Sequence, residues 1–303
     1  FDVSYMPQRG APNGRKTAYQ TLISPSFTWT AFNNEYGTGT LNFAYTVARY
    51  GGSQAARIGG NIGAVTEIND YDDKSNAFNE LYYSYQAGGS WKWLTVAAGQ
   101  FPLSNFDGTA YDSNQQVNFI NYALSQNASS TYSTAGVGAY LQATPNSEWT
   151  FAVGAQDATN VDGISVRFNN LNEEHYATFG YIAYSPTIKG LGAGQYSVLL
   201  YNQPWVEEQK QTTNGWSVNL SQAIGDKLTV FGRSTAFRAQ PPRSTSRGCS
   251  AWFTTIRWTA IRWIRSDWLS PITKLMERRS AKSFPMTARK CWKPIGPGAF
   301  PNG

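Results

Sequence analysis

The residues of this 303-residue chain that could do chemistry are its carboxylates, a single histidine and one dense run of amides and aromatic rings. Asp107 and Asp112 share a polar stretch and could form a glycosidase-type carboxylate pair, yet nothing in their spacing singles them out. His175 stands alone, which rules out paired-histidine metal motifs and weakens any Ser-His-Asp arrangement. A solvated histidine at the start of a strand is its simpler role. "DYDD" (70–73) spaces carboxylates as a calcium loop might but lacks the downstream Gly and Glu, so it reads as a solvated turn, with a surface cation site as the alternative. Glu173 with Glu174, and Glu207 with Glu208, are adjacent pairs that would point to opposite sides of a strand; loop solvation is expected. No catalytic constellation, metal site or cofactor is expected.

Residues 102–134, "PLSNFDGTAYDSNQQVNFINYALSQNASSTYST", are the richest candidate. So long a polar connection is uncommon unless it has a function. Phe106, Asp107, Tyr111, Asp112, Asn114, Gln115, Gln116 and Asn118 combine ring faces with donors and acceptors. That mixture suits sugars, whose CH faces stack on rings while their hydroxyls exchange water for amides and carboxylates. The simpler alternative is a surface loop.

The elements that must position this segment follow a two-residue period. "TLNFAYTVA" (40–48) sets Leu41, Phe43, Tyr45 and Val47 against Asn42, Ala44 and Thr46. "EWTFAVGAQ" (148–156) sets Trp149, Phe151, Val153 and Ala155 against Glu148, Thr150, Ala152, Gly154 and Gln156. "NELYYSYQA" (79–87) and "GWSVNLSQ" (215–222) alternate likewise, with weaker versions near 24–32, 61–68, 92–100, 135–143, 175–184, 194–203 and 227–235. Turn signals such as "AGGS" (87–90), "TPNS" (144–147) and "IGD" (224–226) separate them. The pattern predicts an all-β, antiparallel up-and-down meander of roughly ten strands.

A soluble sandwich would bury the apolar face, whereas a transmembrane barrel turns it to lipid. Strands long enough to cross a tilted bilayer, and a polar face of Ser, Thr, Asn, Gln and Gly with few charges, favour the barrel. So do aromatic residues at the expected strand ends, as in "SWKW" (90–93), "EW" (148–149) and "GW" (215–216). A β-sandwich or β-helix is the alternative. No run of about 18 apolar residues exists, so no membrane helix is expected. The chain begins at Phe1, which reads as a mature or fragmentary product.

Composition breaks near residue 237. Residues 1–237 hold 12 Lys and Arg against 17 Asp and Glu, a balance of −5. Residues 238–303 hold 13 against 2, a balance of +11, so the net +6 of the whole chain comes from the tail. Cys249 and Cys291 also lie there. "TTIRWTAIRWIRSDW" (254–268) is basic and Trp-rich, and prolines interrupt the tail. A basic, aromatic segment can bind nucleic acid or anionic lipid, but "IRWIR" has no clean apolar helical face, and nucleic acid is not expected. Read in the neighbouring frame, residues 291–303 can encode an alternating aromatic strand. The expected division is a partial barrel over 1–237 and a tail over 238–303 that is out of frame rather than a native domain.

Residues 97–160, "AAGQFPLSNFDGTAYDSNQQVNFINYALSQNASSTYSTAGVGAYLQATPNSEWTFAVGAQDATN", resemble the carbohydrate-selective outer-membrane porin family (OprB-like). "GAGQYSVLLYNQPWVEEQKQTTNGWSVNLSQAIGDKLTVFGR" (192–233) is similar too, and the likeness covers about residues 20–237. The resemblance implies a barrel of about sixteen strands, of which this chain shows only part. It implies passive diffusion of sugars and other small solutes through the bacterial outer membrane, with lipid as the surrounding partner, and it allows a homo-oligomer. Segment 102–134 would then fold into the lumen. Strand parity adds Glu80, Arg167 and Arg233 to the lumen side, where they would act as charges of the narrow zone. Reversing Arg233 would then change ion selectivity. A soluble or surface-attached carbohydrate-binding or adhesive β-protein is the second reading, and an enzyme the third.

Overall fold

A computed structural model describes residues 2–9, 17–52, 76–109, 127, 130–161, 163, 165–225, 228–240, 251–261 and 284–288. The strands are β1 (Asp2–Arg9), β2 (Thr17–Ser24), β3 (Ser26–Asn34), β4 (Gly37–Gly52), β5 (Asn76–Ala87), β6 (Leu94–Phe101), β7 (Gly136–Ala143) and β8 (Trp149–Asp157). They continue as β9 (Tyr176–Tyr184), β10 (Thr187–Ile188), β11 (Gly192–Gln203), β12 (Thr212–Ile224), β13 (Leu228–Gln240), β14 (Ala251–Ile261) and β15 (Phe284–Ala288). All belong to one antiparallel sheet with the order β1-β2-β4-β5-β6-β7-β8-β9-β11-β12-β13-β14-β15, in which β3 pairs with β4 and β10 with β11. The fold is an incomplete up-and-down β-barrel: among the described residues β1 pairs only with β2, and β15 only with β14.

β2 and β3 both lie along the long strand β4, on either side of Pro25. Proline cannot donate to the ladder, but its carbonyl accepts from the Tyr45 amide at 3.0 Å, so the pair acts as one bent strand. Short turns at 35–36, 88–93, 144–148 and 185–191 share one end of the sheet. At the other end stand the longer connection 204–211, the described residues of 158–175 and the described ends of 102–135. That asymmetry is characteristic of outer-membrane barrels.

The expected strands near 24–32, 40–48, 79–87, 92–100, 135–143, 148–156, 175–184, 194–203, 215–222 and 227–235 correspond to β3 to β9 and β11 to β13. The 61–68 strand and the "DYDD" turn lie outside the described residues. β1, β2 and β10 were not legible as strands. Beyond residue 237 the backbone of β14 lies against β13, with Arg233 opposite Arg257, and β15 against β14.

Parity sorts the side chains as the sequence implies. Phe151, Val153, Leu141, Ile182 and Leu200 are exposed on the outer face, Leu200 by 57%. Trp149 packs on Tyr184 at 4.6 Å and stacks with Phe151 at 5.8 Å, and Trp91 meets Trp93 at 5.4 Å, all near the short-turn end. They form an aromatic belt at that end. Trp216 differs from expectation, because β12 begins at Thr212 and Trp216 sits inside the strand.

The inner face is less uniformly polar than the sequence suggests. Phe101, Phe179, Leu199 and Tyr201 point inward and form a buried cluster with Leu103, Phe106 and Ala152. The alternation is weak over 175–184 and 194–203 because both faces carry apolar residues there. The inner one is dry where the described ends of segment 102–134, with Leu103, Phe106 and Tyr132, pack against it.

Candidate functional site: a loop anchored to the inner wall

The described parts of segment 102–134 pack on the inner face, in the position expected of a lumen loop. After β6 the chain makes one short 3-10 turn, Leu103–Phe106, in which the Asn105 amide donates to the Pro102 carbonyl at 3.2 Å. The turn drives Phe106 into a nest of rings: Tyr140 at 5.2 Å, Phe179 at 4.8 Å and Tyr181 at 5.4 Å. Gly154 makes room for that nest. A Cβ there would stand 2.6 Å from the Tyr140 Cβ, 2.7 Å from the Ala139 carbonyl oxygen and 2.7 Å from the Phe179 ring.

Asp107 follows, and its side chain is fully buried. Its Oδ2 accepts from Asn127 Nδ2 at 2.7 Å and from the Tyr132 hydroxyl at 2.8 Å, both from the far end of the same loop. Its Oδ1 accepts from Asn219 Nδ2 on β12 at 2.9 Å and lies 4.0 Å from Arg233 Nε on β13. Arg233 donates from Nε to Asn219 Oδ1 at 2.6 Å and from a terminal nitrogen to the Asp107 carbonyl at 3.4 Å. One carboxylate thus ties both ends of the loop to the wall. Burial pushes the Asp107 carboxyl up, but the Arg233 guanidinium and hydrogen bonds from Ser217, Asn127 and Asn219 outweigh it and hold the group below its ordinary value. The Tyr132 hydroxyl is pushed well above its usual range by burial and by the carboxylate it faces.

A second set of bonds straps the loop's return. Gln203 Nε2 donates to Ser133 Oγ at 2.9 Å and to the Ala158 carbonyl at 3.1 Å. Thr131 Oγ1 meets the Tyr201 hydroxyl at 3.0 Å and Thr213 Oγ1 at 2.9 Å. Gln209 Nε2 reaches the Thr131 carbonyl at 2.6 Å. These groups would be costly to bury unpaired.

Of the residues singled out by sequence, Phe106, Asp107 and Arg233 meet in one assembly. Glu80 stands beside it, its Oε1 accepting from Asn105 Nδ2 at 2.8 Å. A register shift between Ala44 and Tyr45 absorbs Asn79 as a bulge, so Phe78 faces out beside Tyr45 while Glu80 faces in. Arg167 is held apart, in the 158–175 connection, where its Nε donates to Ser165 Oγ at 3.1 Å. Tyr111, Asp112, Asn114, Gln115, Gln116 and Asn118 lie outside the described residues. His175 ends its loop at β9, and its backbone carbonyl accepts from the Ala158 amide at 2.8 Å. Glu174, Glu207 and Glu208 are exposed loop residues. Among the described residues no cluster of metal-ligating groups occurs.

Sequence reasoning missed Asn127, Tyr132, Ser217 and Asn219 as loop partners. Asn219 was within reach. The "IGD" turn sets Ile224 opposite Leu228, and counting back along both strands brings Asn219 opposite Arg233.

An apolar outer face, an inner wall carrying polar side chains and the described ends of a long loop packed on it are the arrangement of an outer-membrane β-barrel chain of the porin kind. Its similar proteins are of that kind. It is 41% identical over 233 residues to Porin AaxA of Chlamydia abortus, covering 76% of this chain and 51% of that protein. With Porin AaxA of Chlamydia felis it shares 43% identity over 220 residues, covering 72% of this chain and 49% of the relative. The chain therefore spans about half the length of these relatives. Among solved structures, OprB of Pseudomonas putida superposes with a TM-score of 0.59 at 12% identity, covering 84% of this chain and 73% of that one, a likeness of fold. No family model matches the chain.

Proposed function

We propose that the chain contributes the wall and the narrowing loop of a passive outer-membrane channel for small polar solutes, with carbohydrates as the permeants. The observation that carries this is the anchoring of segment 102–134 inside the sheet by Asp107, Asn219 and Arg233. A loop tied across the inner wall narrows the interior without closing it, and selection then follows from width and lining. The hydroxyl and amide groups of the inner face exchange hydrogen bonds with a sugar at little net cost. Outer-membrane lipid surrounds the apolar face, with the short turns on the periplasmic side. Copies of the chain associating in the membrane are compatible with this arrangement.

Protein extracted from outer membranes and reconstituted in liposomes should admit mono- and disaccharides, with swelling rates that fall as the sugar grows. No swelling with any sugar, while salts pass, would remove the carbohydrate assignment; no permeability at all would remove the channel. We further propose that residues 238–303 are an out-of-frame product. A single intact reading frame through codon 303 would refute this.

A further inference from the structure

We infer that Glu80, and not the Asp107–Arg233 pair, sets the charge preference of the opening, on a hydroxyl and amide wall built by β3, β4 and β5. This rests on the channel reading above. The described ends of the loop pack on the wall from β6 towards β13, whereas β3 is exposed along its whole length. On the inner side of β3 to β5 the register sets Thr28 beside Asn42 and Tyr82, and Thr30 beside Thr40 and Ser84. Thr28 Oγ1 donates to Asn42 Oδ1 at 3.1 Å, the Thr40 and Ser84 hydroxyls meet at 2.6 Å, and Asn42 Nδ2 donates to Ser84 Oγ at 3.3 Å. Glu80 continues this face towards the loop, and its partner Asn105 is neutral.

The two inner carboxylates are therefore unlike. Asp107 is buried 4.0 Å from a guanidinium, and two opposite charges that close act together as a dipole, whose field falls off much faster than that of a single charge. Glu80 is half-buried, and among the described residues the one ion pair is that of Asp107 with Arg233. An unpaired carboxylate on a wall bounded by low-dielectric protein and lipid concentrates cations at that level. Small cations pass in preference to anions of like size, while neutral hydroxyl-bearing solutes exchange hydrogen bonds with the Thr40, Asn42 and Ser84 rows.

The test is the reversal potential of the reconstituted protein in planar bilayers under a potassium chloride gradient. Glu80→Gln keeps an oxygen for Asn105 and removes the charge; it should lower the cation-to-anion permeability ratio about twofold or more. Ser84→Lys, which adds the opposite charge to the same wall, should move the ratio in the same direction and serves should Glu80→Gln fail to fold. Glu148→Gln, in the exposed turn before β8 and away from the wall, should leave the ratio near that of the parent. A ratio unmoved by either wall variant, or moved as much by the turn variant, overturns the inference and leaves the channel standing. A parent that carries no current overturns the channel reading, and this inference with it.

Discussion

The inner face has two halves that are built alike and used differently. From β6 to β13 the described ends of the loop pack on it, and polar groups such as Ser217 and Asn219 are fully buried, each with partners. On β3 to β5 a similar set, Thr28, Thr40, Asn42 and Ser84, is part-exposed and bonded within itself. The same amide is therefore a structural pin at 219 and a solvent-facing group at 42. Sequence type does not separate them; what covers them does. Burial raises the cost of an unmade hydrogen bond and the worth of a made one.

The comparison can be broken most sharply at Arg233. Replacing it with Met leaves Asp107 buried without its cation and should cost about 3–5 kcal/mol, read as a lower unfolding temperature and proteolysis within 110–126. Exchanging the two charges, Asp107→Arg with Arg233→Asp, should recover part of that loss. Phe106→Ala empties the ring nest and should cost a comparable amount, about 3–5 kcal/mol, by the same readout. The matched pair Asn219→Ala and Asn42→Ala sharpens the contrast. The first strands groups of Asp107 and Arg233 and should cost about 1–3 kcal/mol. The second should stay within about 0.5 kcal/mol. Equal costs would erase the distinction between the walls.

Acid gives a smaller, graded effect. The Asp107 carboxyl is held below its ordinary 3.8, so its contribution is complete above that pH and is lost as pH falls through the lower folded value. The near-ultraviolet circular dichroism of the Phe106 and Tyr132 surroundings should be flat from neutral pH down to about 4 and decline below it. In Asp107→Asn that part of the acid transition should vanish.

Much of this was legible beforehand. Period-two runs located the strands of the barrel and assigned Phe151, Val153 and Leu220 to one face, because lipid on one side and polar groups on the other enforce alternation. The method weakened where the loop makes the inner face apolar too, at Phe179 and Leu199. It also could not foresee that Asp107 and Arg233 meet, since they are far apart in sequence and joined only by the sheet's curvature and the loop's path. Arg233 faces inward as parity implied, yet its guanidinium is spent on Asn219 and Asp107. The bulge at Asn79, which turns Phe78 outward, is likewise invisible to a strict alternation count.

One inner wall is closed off by the loop ends that pack on it, and the other is open. Cysteine placed at Ser217 or at Ser84, in a background carrying Cys249→Ser and Cys291→Ser, measures this by the rate of modification with a charged, membrane-impermeant thiol reagent. Reaction should be fast at 84 and negligible at 217 until Arg233 is removed. Equal rates at the two positions in the otherwise unaltered protein would contradict it.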